Sequence, residues 1–389
     1  MVNKHIECKK MNLSASFHCS FEETFDLSDP SLAVKWLYTQ FDLLLIKVVI
    51  PLISSIGILG NGAFLFMVMR LPEMRSTLTA YLVNLAMCDM LYLLFLNMVY
   101  FREGPVSRTF YVNSLWGCMA LPIYINWWYY ASSGFVTLIS VERYFAICKP
   151  LKAMVLKGFS RNIKLVLTVW ILSLAVTLTT VPQFAKFTQS CVIWPETETD
   201  GRFQNLPDVI RRCQHVGFIA DNYSNVLSIS SFVLTAIVNS ALYSRIIFAL
   251  GHRQIGGNAP LPAAENVRDQ VARTLIVNGI IFFICQTPYR LYTLVDFLQY
   301  IGLEVSPFMK SRLFYLGGFF LLLNSIVNPY LYILTCAHYR RCMMKAFCSM
   351  CSSPGLVARK KLAAQDKMKV SLATMSTSGG MKPTNDNII

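Results

Sequence analysis

Seven apolar runs divide this chain, at about 43–69, 78–101, 115–147, 163–183, 222–250, 271–299 and 311–335. Each is of the order of the ~20 residues that a helix needs to cross ~30 Å of hydrocarbon. None shows the two-residue alternation of a membrane strand. The pattern therefore predicts an all-α membrane protein, a seven-transmembrane helix bundle. Polar sequence flanks it. Residues 1–42 form a tail before the bundle at 43–335. Residues 336–348 alternate basic and apolar positions at helical spacing, which predicts a short amphipathic eighth helix lying on the membrane surface. Residues 349–389 are polar and rich in Ser and Thr, the composition of a disordered tail.

Composition agrees with a bilayer location. Of 389 residues 54% are hydrophobic and 14% charged, and the mean hydropathy is +0.47, too apolar for a soluble chain of this size. Residues 1–10 are polar and of mixed charge, so the first span is expected to act as its own insertion signal. Arg70 and Arg75 follow span one; Lys149, Lys152, Lys157, Arg161 and Lys164 follow span three; Arg253, Arg268 and Arg273 surround the loop before span six; Arg340, Arg341 and Lys345 follow span seven. All fall on one side, which the positive-inside rule makes cytoplasmic. The expected protein is multi-pass, in the plasma membrane, with its N-terminus extracellular. The net charge of +14 lies beside the helices and is read as attraction to anionic membrane lipid rather than nucleic acid.

The same division sorts other signals. Asn12-Leu13-Ser14 is a glycosylation acceptor on the outer tail. Of the twelve cysteines, Cys8, Cys19, Cys118, Cys191 and Cys213 fall outside, where disulfides persist. Cys348 and Cys351, just past the amphipathic helix, are placed for palmitoylation. Ser371, Thr374, Ser376, Thr377 and Ser378 can accept phosphate, and a charged cluster there would recruit a basic partner such as arrestin.

Two polar features interrupt the apolar spans. Asp89 sits about halfway through span two, tolerable only against a polar or hydrated interior. Glu142-Arg143-Tyr144 stands where span three emerges into water. An arginine there is expensive unless paired, and the adjacent Glu142 is its expected resting partner; a snorkelling pair at a helix end is the plainer alternative.

Gly60-Asn61, Leu85-Ala86-x-x-Asp89, Cys118, Glu142-Arg143-Tyr144, Trp170, Cys285-x-x-Pro288 and Asn328-Pro329-Tyr330-Leu331-Tyr332 occur in this order, and with them the chain resembles the rhodopsin-like (class A) G-protein-coupled receptors over about 43–348. The resemblance implies a receptor that transmits extracellular ligand binding to a heterotrimeric G protein, with no cofactor beyond a possible allosteric Na+. It implies a switch of Glu142, Arg143, Tyr144, Tyr243, Asn328, Pro329 and Tyr332. A sodium site would use Asp89, Ser132, Asn324, Ser325 and Asn328, and no other metal is expected. It also implies that Cys118 bonds Cys191 or Cys213 in the long outer loop. The expected partner is Cys191, after a strand-like segment at 184–187; Cys213 is the rival. Three positions depart from the family: Thr235 replaces a proline, Gln286 a tryptophan, and Arg268 an acid, unless Asp269 substitutes for it.

No lysine lies between Leu313 and Thr335 to hold retinal, and mid-span three carries Ile125-Asn126-Trp127-Trp128-Tyr129-Tyr130 instead of the carboxylate of an amine receptor. That neutral aromatic wall suits a peptide or another large neutral ligand, although Trp127 and Trp128 serve equally well as bundle packing. Cys285-Gln286-Thr287-Pro288-Tyr289-Arg290 is similar to the corresponding run of thyrotropin-releasing-hormone-type peptide receptors, and the chain also resembles FMRFamide-type receptors. The expected ligand-binding residues are Asn126, Tyr129, Gln286, Tyr289 and Arg290, and the expected ligand is an extracellular neuropeptide. A non-peptide receptor of the same fold is the nearer alternative. A transporter would show internal repeats or paired broken helices, and an enzyme a nucleophile–base or metal-ligand set; neither is evident.

Overall fold

The computed structural model describes residues 24–102, 106, 114–155, 158–184, 186–195, 203–214, 218–255 and 263–351. Its long helices are α1 (Ile50–Arg70), α2 (Thr77–Arg102), α3 (Leu115–Cys148), α4 (Phe159–Leu178), α5 (Phe218–Ile255), α6 (Ala263–Tyr300) and α7 (Pro307–Thr335), followed by α8 (Ala337–Cys351). They coincide with the seven apolar runs and the amphipathic segment. α5 and α6 outlast their runs at the polar ends, because an apolar run reports hydrocarbon thickness while the backbone ladder continues into water. Glycosylation at Asn12, the phosphate acceptors and the tail from residue 352 lie outside the described residues.

Local chemistry sets the helix ends. Ser114 caps α3, its hydroxyl accepting from the Gly117 amide at 3.3 Å, and a proline opens α7 in its first turn, where the missing N–H costs nothing. α5 is one continuous helix. Thr235, at the family's proline position, bonds back to the carbonyls of Ser231 (2.9 Å) and Phe232 (3.0 Å), so its hydroxyl is satisfied inside the helix without a ring to break the ladder. Prolines do sit inside α6 and α7, at Pro288 and Pro329.

The main core joins α1, α2, α3, α6, α7 and α8 through Phe64, Tyr81, Leu85, Phe135, Phe282 and Tyr332. Against it stands an aromatic cluster on α3 and α4. Trp127 and Trp128 stack at 5.3 Å, Trp170 lies edge-on to both at 5.5 Å, and Trp170 Nε1 donates to Asn84 Oδ1 at 2.9 Å. Both readings of Trp127 and Trp128 were open in sequence; these contacts make them packing residues. α8 is held to the bundle by Phe347 on Phe66 (5.2 Å) and by Lys345 on Glu73 (2.9 Å).

At the opposite end from α8 the chain builds a small three-stranded sheet that the apolar pattern did not predict. β1 (Thr24–Asp26) runs parallel to β2 (Lys186–Ile193), which pairs antiparallel with β3 (Val209–Gln214). The strand-like segment expected at 184–187 is displaced: Val181–Phe184 is a 3-10 turn and the strand begins at Lys186. The sheet covers its own core of Leu27, Ala33, Val106, Val192, Phe203 and Ile210.

α7 packs closely on α6 at Gly317, where an added Cβ would stand 2.8 Å from Tyr289 Cα and 3.0 Å from its N. Those are backbone atoms of a packed helix and have nowhere to go. Gly317→Ala should therefore destabilise the bundle by ~1–3 kcal/mol, whereas Gly318→Ala, whose Cβ meets nothing within 4 Å, should be near neutral. Thermal unfolding of the two purified variants in one detergent checks the contrast.

Candidate functional site

Polar side chains form a seam along the bundle axis, and three of its levels hold residues expected to carry function. At the level nearer the sheet, Arg290 of α6 is 6% exposed. Its guanidinium lies 3.7 Å from the centre of the Tyr129 ring of α3 and 5.3 Å from that of Tyr289. It donates to Ser228 Oγ of α5 and, at 3.3 Å, to Gln286 Oε1 one turn below. No carboxylate pairs with it among the described residues, and its Nε has no hydrogen-bond partner; nor has the Tyr129 hydroxyl. Four of the five expected ligand-binding residues thus converge. Asn126 is half-buried one turn away on α3 and bonds none of them. The site is electron-rich ring faces around a cation with no paired carboxylate among the described residues, an arrangement that would donate to an oxygen acceptor of a ligand. Towards its mouth, Asp296 of α6 takes Lys310 of α7 at 2.5 Å and Asn225 of α5 at 3.1 Å, a three-helix junction with no signature in the sequence.

At the middle level Asp89 is 1% exposed. Asn328 of α7 donates to its Oδ2 at 2.5 Å, and the Ser325 hydroxyl also reaches it. Asn61 of α1 closes the group, donating to the carbonyls of Gly57 (3.0 Å) and Ser325 (2.9 Å). Ser132 of α3 and Asn324 of α7 are buried nearby, but Ser132 interacts with Cys88 instead, and Asn324 makes no hydrogen bond to Asp89. Among the described residues no group of three or more His, Cys, Asp or Glu is poised around a metal.

Below, α3 and α5 are joined by bonds that the motifs do not name. Asn239 donates to Thr137 Oγ1 at 2.9 Å and Ser140 to the Tyr243 hydroxyl at 3.0 Å. Ser133, Thr137 and Ser140 recur at i, i+4 and i+7, and Asn239 and Tyr243 at i and i+4, so helical spacing of polar residues in apolar spans was the available signal. The Tyr243 hydroxyl occupies the space above Gly279 of α6, where a Cβ would lie 1.7 Å from it.

Arg143 ends the seam. The expected direct pairing with Glu142 is not made: consecutive helical residues leave the axis about 100° apart, and no ion pair forms between them. Glu142 is still the main favourable charge near Arg143, with Tyr339 of α8 and Arg268 of α6 the other neighbours. Burial raises the Tyr339 phenol well above its ordinary pKa and keeps it neutral there. Asp269, the suggested substitute acid, is buried and lies 3.7 Å from Arg268. Arg143 Nε is shielded and unpartnered among the described residues. Tyr144 packs with Ile147, Tyr243, Ile246 and Ile276, while the buried Tyr332 hydroxyl has no partner, its ring lying between Phe64 (5.6 Å) and Tyr339 (5.5 Å).

The expected Cys118–Cys191 disulfide is corrected. Cys118 bonds Cys213, with Cα atoms 5.5 Å apart. The hairpin register gives the reason: Cys213 stands opposite Phe187, and Cys191 lies four residues further along β2, roughly 13 Å away at strand rise. One cysteine at the top of α3 cannot serve both positions. Cys348 is exposed on α8.

Residues 60–332 match the model of the 7 transmembrane receptor (rhodopsin family). The thyrotropin-releasing hormone receptors of mouse and human are each 26% identical over 351 residues, covering 81% of this chain and 81% and 80% of the relatives. The zebrafish galanin receptor 2b is 25% identical over 314 residues, covering 80% of this chain and 77% of the relative.

Because the Cys118–Cys213 link spans 95 residues, chain-entropy arguments assign it ~4–5 kcal/mol. Cys118→Ser and Cys213→Ser should lower cell-surface receptor to the same extent, and the double variant no further. Surface labelling relative to total protein measures this.

Proposed function

The chain belongs to the rhodopsin family of seven-transmembrane receptors, and we propose that it is a plasma-membrane receptor for an extracellular peptide that transmits binding to a heterotrimeric G protein. Its N-terminus and β-sheet then face outside, and the Arg143 end faces the cytosol. The observation that carries the peptide reading is Arg290: a buried guanidinium between tyrosine rings, with no acid paired to it among the described residues and an idle Nε. A peptide is dense in carbonyl oxygens, and a carbonyl or terminal carboxamide oxygen would answer that donor. The names of the relatives, for thyrotropin-releasing hormone and for galanin, point the same way.

Transmission needs only that ligand and G protein prefer the same arrangement of the helices. The residues that hold the resting arrangement are the inter-helix bonds of the seam, above all Ser140–Tyr243 and Asn328–Asp89. Tyr243 leaving its slot above Gly279 would free α6 to swing outward. Arg143 and the idle hydroxyl of Tyr332 would then meet the inserted partner. Arrestin on the phosphorylated tail, glycan on Asn12, palmitate on Cys348 and Cys351 and anionic lipid along the basic face complete the proposal.

A monovalent cation fits the middle level chemically. Asp89 supplies one carboxylate, Ser132, Ser325, Asn324 and Asn328 supply neutral oxygens, and Asn61 Oδ1 is buried without a hydrogen-bond partner; such an all-oxygen set suits a hard ion of single charge. A Na+ held by these residues would supply a positive charge that neutralises the Asp89 carboxylate, and Asp89 and Asn328 already join α2 to α7 by their hydrogen bond.

Two outcomes follow. Arg143→Ala should remove at least nine-tenths of peptide-stimulated nucleotide exchange on the G protein while surface level changes less than twofold; exchange at the parent level would exclude Arg143 from coupling. Replacing Na+ by a large organic cation at equal ionic strength should raise agonist affinity several-fold by linkage. Asp89→Asn should abolish that dependence, and competition binding in the two salts reads both.

A further inference from the structure

One stripe of α6 faces the main core at helical spacing: Val271, Leu275 and Phe282 are buried in the cluster that also holds Tyr332 of α7. The remaining position of that stripe, three residues after Leu275 and four before Phe282, is Asn278. Asn278 is 4% exposed, and its Oδ1 is buried with no hydrogen-bond partner among the described residues. A carboxamide left idle in an apolar stripe costs stability that an apolar side chain would spare. The resting arrangement of the helices gives no reason for it.

Two observations fix the register of α6 against α7. The Thr274 and Thr335 hydroxyls bond at 2.9 Å, and Gly317 stands against Tyr289, so positions rise on α6 as they fall on α7. One helical turn from the threonine pair is four residues on α6 and three or four on α7, which brings Asn278 level with Leu331 and Tyr332. Tyr332 is the second idle group at that level. It is 3% exposed, its hydroxyl has no partner among the described residues, and its ring is held towards α1 and α8 between Phe64 (5.6 Å) and Tyr339 (5.5 Å). The two groups are complementary, since a phenol has a proton to give and a carboxamide oxygen only accepts.

We propose that Asn278 is the partner that Tyr332 takes in the signalling arrangement: the Tyr332 ring leaves Phe64 and Tyr339, and its hydroxyl donates to Asn278 Oδ1, tying α7 to α6. Asn278 is thus a positioning residue, acting through Tyr332. The phenol oxygen, having given its proton, remains an acceptor for the protein that enters beside Arg143. Departure of Tyr243 from above Gly279, the residue next to Asn278, loosens the same stretch of α6. This inference rests on the reading that the Arg143 end couples to a G protein, and it supplies an element with two discrete arrangements: ring stacked and both oxygens idle, or ring released and the oxygens bonded.

The test measures ligand-free nucleotide exchange on purified G proteins, driven by the full receptor in a lipid bilayer, so the identity of the peptide does not enter. Parent, Asn278→Leu, Tyr332→Phe and the double variant are compared; leucine keeps the branched shape of asparagine without its polar atoms. Each single variant should lower exchange about five- to tenfold, the weight of one buried hydrogen bond, and the double variant no further. Losses that multiply, or parent-level exchange in Asn278→Leu, overturn the bond while leaving G-protein coupling intact. A parent that drives no exchange on any G-protein class overturns the coupling reading, and the bond with it. Thermal unfolding of the same ligand-free variants needs no G protein. Because both groups are idle at rest, each single substitution should raise the midpoint by about 2–4 °C and the two gains should add. A lowered midpoint in both single variants that the double variant does not deepen would place the bond in the resting arrangement and overturn the proposal.

Discussion

A carboxylate buried at the centre of a membrane bundle is the constraint on which this architecture depends. With no water in the surrounding hydrocarbon, each polar group must find its partner inside the protein. Asp89 is 1% exposed, and its compensation comes from another helix: Asn328 of α7, whose neighbour Ser325 is in turn tied to Asn61 of α1. Three helices are thereby held in register by hydrogen bonds instead of by interchangeable apolar contacts. The close-packed glycine positions follow from the same closeness, Gly57 against Ile326 and Leu93, and Gly60 against Pro329 and Tyr330. Side chains of the neighbouring helices lie directly over these glycines and leave no space for a Cβ.

The seam is also where the bundle is least committed to one state. Apolar helix faces in lipid lose little by sliding, whereas each bond of the seam has to be exchanged for another. Idle buried atoms offer a vacancy for such an exchange, among them Arg290 Nε and Tyr129 Oη near the sheet and Tyr332 Oη and Arg143 Nε near α8. Buried donors without partners are costly and uncommon. Such idle atoms occur at the two levels where ligand and G protein are proposed to act and also between them, at Asn61 Oδ1, Ser133 Oγ and Asn239 Oδ1, while the separate bonds Asn328–Asp89, Asn239–Thr137 and Ser140–Tyr243 tie the helices at the intervening levels.

Most of the helical fold was legible because a run of ~20 apolar residues has few other solutions. The ends were not, since polar turns beyond the bilayer carry no such signal: α6 begins at Ala263, eight residues before its run. The sheet was invisible for a different reason. β1 is three residues long and exists only by pairing with β2 across a sequence gap of 167 positions (Thr24 to Cys191). Register likewise decided the Cys118 partner, for spacing alone left Cys191 and Cys213 both possible. Glu142 and Arg143 are neighbours in sequence, and it is that adjacency on a helix that keeps them from pairing. Trp127 and Trp128 became packing residues only once Trp170 and Asn84 were brought beside them. Arg290, Tyr129, Gln286 and Tyr289, expected from the sequence to bind ligand, lie together in the bundle, yet Ser228, which completes the guanidinium's contacts, carried no mark in an ordinary apolar span.

The most direct measurement is nucleotide exchange on a purified heterotrimeric G protein, driven by the receptor in a lipid bilayer and titrated with a library of amidated neuropeptides. The account predicts that at least one peptide stimulates exchange, and that Arg290→Gln raises its half-maximal concentration about tenfold or more, the loss of ~1.4 kcal/mol or more of charged hydrogen bonding. A peptide that binds without altering exchange, or one whose potency is the same in Arg290→Gln as in the parent, would contradict it.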